Sequence, residues 1–521
     1  MRRLCFGIAI SLLLAVPAVA VEVDSLLVAS VGGPAAVDSL REMTSFTAEG
    51  AVTLNGLPGR FTEYFVPPDR SHLRLDLGTF SMVQAYDGRT AWQKDQNGQV
   101  SELKGYEKQE ILKATYFHSF SYLFPDRVPG DREYLGDTIL AGRDCRRVAF
   151  YPLHRDTITA YYDTRTSLLS ISESRLDNIV VRTEADDYRM VGGVMWPFHT
   201  RMVAVGAPLS MEYAYERIVI NATVDPGIFD MPRDVSRDFP FPEGSDSIVI
   251  PFEYRAGHIH VPVVINGKTK IELILDSGSS ANIFDRTLAL DLDLEVVGSM
   301  AAKGLSAYEQ VDMIRVDSLA IGALTMYDQV VGAFDMKTVF GARVDGRIPG
   351  GTLGYDFLSR FPVAIDYRDS LLVIYNPERF TCPEGGSEVE FFLTMKVPTV
   401  RARLNGIPGD FIVDLGNAFG LVVHHRFAVA NRLTEKLDDV RDNPQSIGGL
   451  GGPVSGKSAY AASFRIGDVM VQSLRVLLPD SDQGLAGSEE IAGNIGNLVL
   501  ENFRVLFDYS NSRLVLYEAD R

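Results

Sequence analysis

Between Phe46 and Thr183 the chain alternates apolar and polar residues, with breaks at Pro-Asp, Asp-Gly and Asn-Gly. The clearest runs are Phe46 to Leu54, Arg60 to Val66, Leu73 to Leu77, Arg147 to Tyr151, Ile158 to Tyr162 and Ile179 to Thr183. A period of two predicts antiparallel strands with one dry face and one wet face. Two stretches depart from it. Residues 23–43 read as two short helices, broken at Gly32-Gly33 and restarted by Pro34 at a first-turn position. Tyr106 to Phe117 (YEKQEILKATYF) predicts one helix inside the strand series. Residues 21–235 are therefore expected to form a large curved antiparallel sheet with a helix against it.

From Ile248 the pattern changes. Strands become almost continuously apolar, which implies burial on both faces. Ile271 to Leu275 runs into Asp276-Ser277-Gly278, and a second apolar run enters Asp414-Leu415-Gly416. An Asp-Ser-Gly after a strand is by itself only a turn. Here, however, the whole stretch occurs twice, as VPVVINGKTKIELILDSGSSANIF from Val261 and VPTVRARLNGIPGDFIVDLGNAFGLV from Val397. Further matches keep the same order. Ile321-Gly322 corresponds to Ile466-Gly467, Leu353-Gly354 to Ile495-Gly496, and Ile365-Asp366-Tyr367 to Phe507-Asp508-Tyr509. From the two aspartates onward the offsets stay between 138 and 145 residues, which marks an internal duplication. Two copies presenting one Asp each predict a pseudo-two-fold dimer within one chain.

This constellation resembles the retropepsin-like aspartic proteases, over about residues 248–521. The resemblance implies two β-barrel lobes, 248–380 and 381–521. In that family each lobe supplies one catalytic Asp, here Asp276 and Asp414. The Asp loops Ser277-Gly278 and Leu415-Gly416 would be supported from behind by Thr352-Leu353-Gly354 and Asn494-Ile495-Gly496. The flap candidates are 301–311, with Gly304, and 446–456, with Gly448, Gly449, Gly451 and Gly452. The implied chemistry needs no cofactor. Two carboxyls about 3 Å apart cannot both ionise, so they hold one proton and activate a water between them. One residue departs from the family pattern. Ser277 can hydrogen-bond across the dyad, whereas Leu415 cannot. Asp285, Asp356 and Asp366 are expected to be solvated or structural. Two functions stay open: an aspartic endopeptidase acting on peptide or protein, and a non-catalytic envelope protein that holds lipid, lipoprotein or peptide with a degenerate protease fold.

Residues 21–235 in turn resemble the lipoprotein-carrier fold of bacterial envelopes, an open half-barrel with helices on its concave face. The cues are the Gly32-Gly33 helix entry, Ala85 to Trp92 (AYDGRTAW), Gly193 to Pro197 (GVMWP) and Val224 to Phe229 (VDPGIF). In that family the concave face takes up acyl chains. Trp92, Trp196, Tyr161 and Tyr116-Phe117 could line such a groove, although aromatics in a half-barrel more often fill its core. The fold class expected for the whole chain is mainly β: an open antiparallel half-barrel with a few helices, a linker at 236–247, and two duplicated lobes.

Composition narrows the partners. The chain has 521 residues, room for several domains, and with 46% hydrophobic and 23% charged residues it is globular. A net charge of −18 argues against nucleic acid or an anionic membrane as partner. The eight His and three Cys show no metal-ligand spacing. His258, His260 and the pair His424-His425 are expected to be strand residues at a surface or lobe boundary. Met1 to Ala20 (MRRLCFGIAISLLLAVPAVA) reads as a secretory signal peptide, and no later apolar run reaches the length of a transmembrane span. The expected location is therefore the periplasm or the exterior. Export would permit a disulfide between Cys145 and Cys382, with two separate thiols as the alternative.

Overall fold

The computed structural model describes residues 23–124, 126–154, 157–232, 238–340, 349–443 and 448–518. The signal-peptide stretch 1–20, part of the junction ahead of the linker, and Ser446 at the start of the second flap candidate lie outside those residues.

The alternating half of the chain forms a 13-stranded antiparallel sheet. Helices Val23–Ser30 and Pro34–Glu42 come first, separated by Gly32 and Gly33 at φ +112° and +99°. These backbone angles suit glycine and few other residues. Six strands then meander from Phe46–Leu54 to Val100–Leu103. Helix Gly105–His118 carries the chain to the opposite edge, strand Gly130–Leu140, and seven strands meander back. The last, Ser210–Ile220, pairs with Phe46–Leu54, so the first and last strands meet inside the sheet.

Burial follows the sequence alternation. In Phe46–Leu54 every second residue, Phe46, Ala48, Gly50, Val52 and Leu54, is buried. Ala36 and Leu40 of the second helix pack in the same cluster as Phe46, Val52 and Trp196. Tyr116 of the crossover helix packs with Leu26, Leu27, Phe150 and Tyr162. Trp92, Trp196, Tyr116 and Tyr161 are at most 9% exposed, and the Trp92 indole donates to the Phe229 carbonyl at 2.7 Å. These rings form core, the stronger of the two readings of the sequence.

The remainder is built from a second 13-stranded sheet and an eight-stranded sheet. The eight-stranded sheet holds the first lobe, from Glu253–Arg255 to Gly351–Leu353; the strands from Val397–Leu404 to Gly493–Ile495 form the second. Between them runs a ladder in the order Ser247–Pro251, Leu371–Tyr375, Val363–Asp366, Phe503–Asp508, Arg513–Glu518, Ser387–Thr394. At its middle Val363 faces Phe507, Ala364 faces Leu506, and Ile365 faces Val505. Val505 is the duplicate of Val363 and Phe507 that of Ile365, so the pairing maps onto itself when the copies are exchanged. This is an isologous contact, with its two-fold axis passing between Ala364 and Leu506.

Cys145 and Cys382 are free thiols, the first buried and the second half-buried. Among the described residues no single helix is long and apolar enough to cross a membrane.

The N-terminal sheet docks on the lobes through charged groups removed from water. Lys396 pairs with Asp95 at 2.9 Å, with side chains 16% and 5% exposed. The Glu107 carboxylate, in the first turn of the crossover helix, accepts the backbone N–H groups of Met395 and Lys396. Burial outweighs those bonds and pushes Glu107 up to about 7 from 4.5. The folded state thus binds a proton that the unfolded chain has already released. Stability from this group is complete below the unfolded pKa near 4.5 and is lost as pH rises through about 7. Glu107→Gln keeps an accepting oxygen and removes the titration. Denaturant melts between pH 4 and 8 are expected to show a shallower fall in stability for Glu107→Gln than for the wild type.

Candidate active site

Each candidate aspartate ends a buried strand, Asp276 after Thr269–Leu275 and Asp414 after Ile407–Val413. The support strands run parallel to them, with Leu275 opposite Leu353 and Val413 opposite Ile495. Asp276 N–H donates to the Leu353 carbonyl at 2.8 Å and Asp414 N–H to the Ile495 carbonyl at 2.9 Å. Past each Asp the chain turns, and Gly278 and Gly416 N–H donate to Oδ1 of their own Asp at 2.9 and 3.0 Å. Tyr355 N–H closes the first loop on the Ser279 carbonyl at 2.9 Å, as Asn497 N–H closes the second on the Asn417 carbonyl at 2.8 Å. The duplication is therefore accurate down to single backbone bonds.

The two carboxyls come together across the lobe boundary, close enough for the charge of Asp414 to act on Asp276. Each lies over the turn glycine of the other lobe. A Cβ on Gly278 would stand 2.3 Å from Asp414 Oδ1, and one on Gly416 would stand 2.4 Å from Asp276 Oδ1. Only glycine leaves room for this approach. Burial first, and then the charge of Asp414, raises Asp276 well above the usual carboxylate range, against the N–H groups of Gly278 and Gly416. Burial also raises Asp414, and the Asn494 amide and the Gly416 N–H offset only part of that rise. Both residues are half-buried rather than sealed.

The loops are locked together unequally. Ser277 Oγ donates to the Val413 carbonyl at 2.7 Å and accepts Leu415 N–H at 3.0 Å. Leu415 has no hydroxyl to return the bond and is wholly buried in the lobe core. The return crossing is made by other groups. His258 Nε2, on the first-lobe strand His258–Ile265, donates to the Gly416 carbonyl at 3.1 Å. Asn497 Nδ2 bridges the carbonyls of Gly257 and Leu415 at 2.8 and 2.6 Å. Asn494 Nδ2 reaches Asp414 Oδ2 at 2.7 Å, and His424 Nε2 stands 2.8 Å from Asn494 Oδ1.

The expectation of strand histidines needs correction for His424 and His425, because the strand Leu421–Val423 ends before them and His424 caps the helix His425–Ala430. His424 is fully buried behind Asp414, its ring bonded to Asn494 and the Ile491 carbonyl. His258 and His260 are buried, and the bond to Gly416 puts His258 at the lobe boundary. The signal for the missed groups was present in the duplication. Asn494 stands where the first copy has Thr352, and Asn497 where it has Tyr355. Asp285, Asp356 and Asp366 all accept backbone N–H groups, the first as a helix cap, so all three are structural.

The flap candidates meet each other. Strands Val296–Lys303 and Tyr308–Ile321 form a hairpin whose tip reaches the second lobe. There Leu485 and Ala486 N–H donate to the carbonyls of Gly304 and Leu305 at 2.8 and 2.9 Å, and Leu305 packs with Val422 and Leu477. A Cβ on Gly304 would stand 2.1 Å from the Leu450 carbonyl oxygen, and Ser306 Oγ donates to the Gly452 carbonyl at 3.2 Å. Gly448 and Gly449 approach Val339 and Leu305, and Gly451 and Gly452 have φ of +92° and +94°. The N-terminal sheet clasps the same hairpin. Asp177 pairs with Lys303, with side chains 12% and 5% exposed, and accepts Glu489 N–H at 3.0 Å.

Residues 261–357 match the model of the aspartyl protease family, a span that holds Asp276 and Leu353-Gly354. An aspartic proteinase from Irpex lacteus is 13% identical, covering 53% of this chain and 98% of that one, with a TM-score of 0.34. A putative outer membrane lipoprotein-sorting protein domain from Vibrio parahaemolyticus is 11% identical, covering 37% and 95%, at 0.27. A DUF1329 family protein from Desulfovibrio piger is 13% identical, covering 40% and 97%, at 0.29. No curated protein matches the chain.

Two outcomes follow from the lock and the clasp. Ser277→Ala removes a donor and an acceptor between buried partners. It should cost about 1–3 kcal/mol in urea unfolding, with an unchanged denaturant slope. Asp177→Ala leaves Lys303 without its carboxylate in a nearly dry site, a loss of about 3–5 kcal/mol locally. Amide hydrogen exchange at 301–308 should rise sharply, while exchange in the strand Val363–Asp366 stays put.

Proposed function

We propose that the chain is an exported aspartic endopeptidase that hydrolyses peptide bonds with a water activated between Asp276 and Asp414. The observation that carries this reading is the close approach of the two carboxyls, each seated over the opposite loop's glycine and each raised in pKa. In the single-proton state one carboxylate takes a proton from the water as it attacks the scissile carbonyl. The protonated partner donates to the carbonyl oxygen, and a proton then reaches the leaving nitrogen. The loops' fixed backbone bonds keep the two groups in register, which matters because a misplacement near 1 Å costs about a hundredfold in rate. We take residues 21–235, 248–380 and 381–521 as the folding units. The stretch 1–20 is taken as the leader for export to the envelope or beyond, and a peptide or protein as the substrate.

The test is cleavage of a peptide library across pH by the wild type, Asp276→Asn and Asp414→Asn, with folding followed by thermal melt. Each variant should lose activity by about a thousandfold or more, and the double variant should be little worse, since the pair acts as a unit. Because both carboxyls are raised, the alkaline limb of wild-type kcat/KM should lie above the ordinary carboxylate range. If Asp414→Asn cleaves as well as wild type, the second lobe is not catalytic. If the folded wild type cleaves nothing, the binding-protein alternative takes its place.

A further inference from the structure

Behind Asp414 runs a short line of side chains for which a two-carboxyl mechanism has no use. Asn494 Nδ2 donates to Asp414 Oδ2 at 2.7 Å. Asn494 Oδ1 faces His424 Nε2 at 2.8 Å, and His424 Nδ1 faces the Ile491 carbonyl at 3.1 Å. The imidazole is wholly buried, and Asn494 is 9% exposed. Among the described residues the first lobe has no such line. There the residue in register with Asn494 is Thr352, opposite Ile274 as Asn494 is opposite Ile412. Its buried hydroxyl makes no hydrogen bond. The dyad is thus symmetric in its backbone and one-sided in its donors.

An amide donates from one end and accepts at the other. Which end faces Asp414 is set by what stands at the far end. A ring nitrogen that carries hydrogen holds Oδ1 and turns Nδ2 toward Asp414; a bare ring nitrogen does the reverse. We propose that His424 is a positioning residue: its Nε2–H fixes the Asn494 amide with Nδ2 on Asp414, making Asp414 the ionised member and leaving the shared proton on Asp276. This rests on the peptidase reading only for its kinetic arm, since the proton assignment concerns the dyad itself.

The surroundings agree. A donated amide N–H stabilises the charged form of Asp414, while the pressure on Asp276 is toward the proton. Two acceptors, Asn494 Oδ1 and the Ile491 carbonyl, compete for the ring's hydrogens, and the shorter contact is to Asn494. Burial lowers His424 to about 4; Lys303 opposes its charge and Asp177 favours it. Below that pH both ring nitrogens donate, so acid strengthens the hold on Asn494 and does not break it.

The experiment uses the full chain with His424→Phe, His424→Gln and Asn494→Leu. Carboxyl carbon NMR titration of the two dyad aspartates gives a readout independent of turnover. The acid limb of kcat/KM on a peptide gives the kinetic one. Losing the donor should raise the lower apparent pKa of the pair by about one unit, a tenfold loss of kcat/KM on the acid limb. Asn494→Leu should show the full shift and His424→Phe most of it. His424→Gln should restore the wild-type limb, because its amide N–H can serve Asn494 Oδ1 without titrating. The proposal is overturned if folded His424→Phe and Asn494→Leu titrate as wild type. It is also overturned if His424→Gln behaves as His424→Phe, which would reduce the ring to packing. An inactive wild type that still shows these NMR shifts would sink the peptidase reading and leave the positioning role standing.

Discussion

Two carboxyls cannot be held in contact in a half-dry cleft unless something keeps them there. Desolvation and mutual repulsion both act to push the groups apart or to bind protons. The opposing forces in this chain are backbone bonds and shape. Asp276 and Asp414 are each pinned by an N–H to a carbonyl of a parallel strand, and each lies over a glycine that cannot be replaced without collision. The Ser277 crossing and the interlobe ladder, with its axis between Ala364 and Leu506, hold the two loops in one frame. Loosening either separates the carboxyls, and each would revert to an ordinary acid.

A duplicated unit in one chain is free to do what two identical chains cannot. In a symmetric dimer any change to one loop appears in both. Here Ser277 pairs with Leu415, Thr352 with Asn494, and Tyr355 with Asn497, so one loop keeps the hydroxyl lock and the other is held by amides and a histidine. The hydroxyl missing at Leu415 is accordingly compensated in the structure. Its side chain fills the second lobe's core, and the bond it cannot make is replaced by His258 on Gly416 and Asn497 on Leu415.

Much of this was legible in the sequence, for physical reasons. Strands such as Phe46–Leu54 alternate because one face meets the helices and the other meets water, and the boundaries read from the pattern match the structure there. The two opening helices were marked by Gly32-Gly33 and Pro34, since only those residues suit such a break. The dyad loops were visible because duplication conserves spacing. The place of His424 escaped because a buried ring bonded to a backbone carbonyl leaves no periodic trace. The difference between Thr352 and Asn494 was on the page, but its sense depends on knowing that both side chains face inward behind the dyad.

The N-terminal sheet is tied to this frame by charges rather than by a broad apolar face alone. Asp177 on Lys303, Lys396 on Asp95, and Glu107 on the 395–396 turn are each shielded from water. Such contacts contribute little net stability, because desolvation offsets attraction, but breaking one partner away is costly. They therefore fix position more than they bind. One of them acts on structure next to the site. Asp177 reaches the hairpin whose tip crosses to the second lobe, and its charge with that of Lys303 falls on His424. The sheet, the hairpin Val296–Ile321 and the line behind Asp414 are thus linked through charge. A movement of the sheet that withdrew Asp177 would leave the charge of Lys303 uncompensated and press His424 further toward the neutral ring whose Nε2–H holds Asn494.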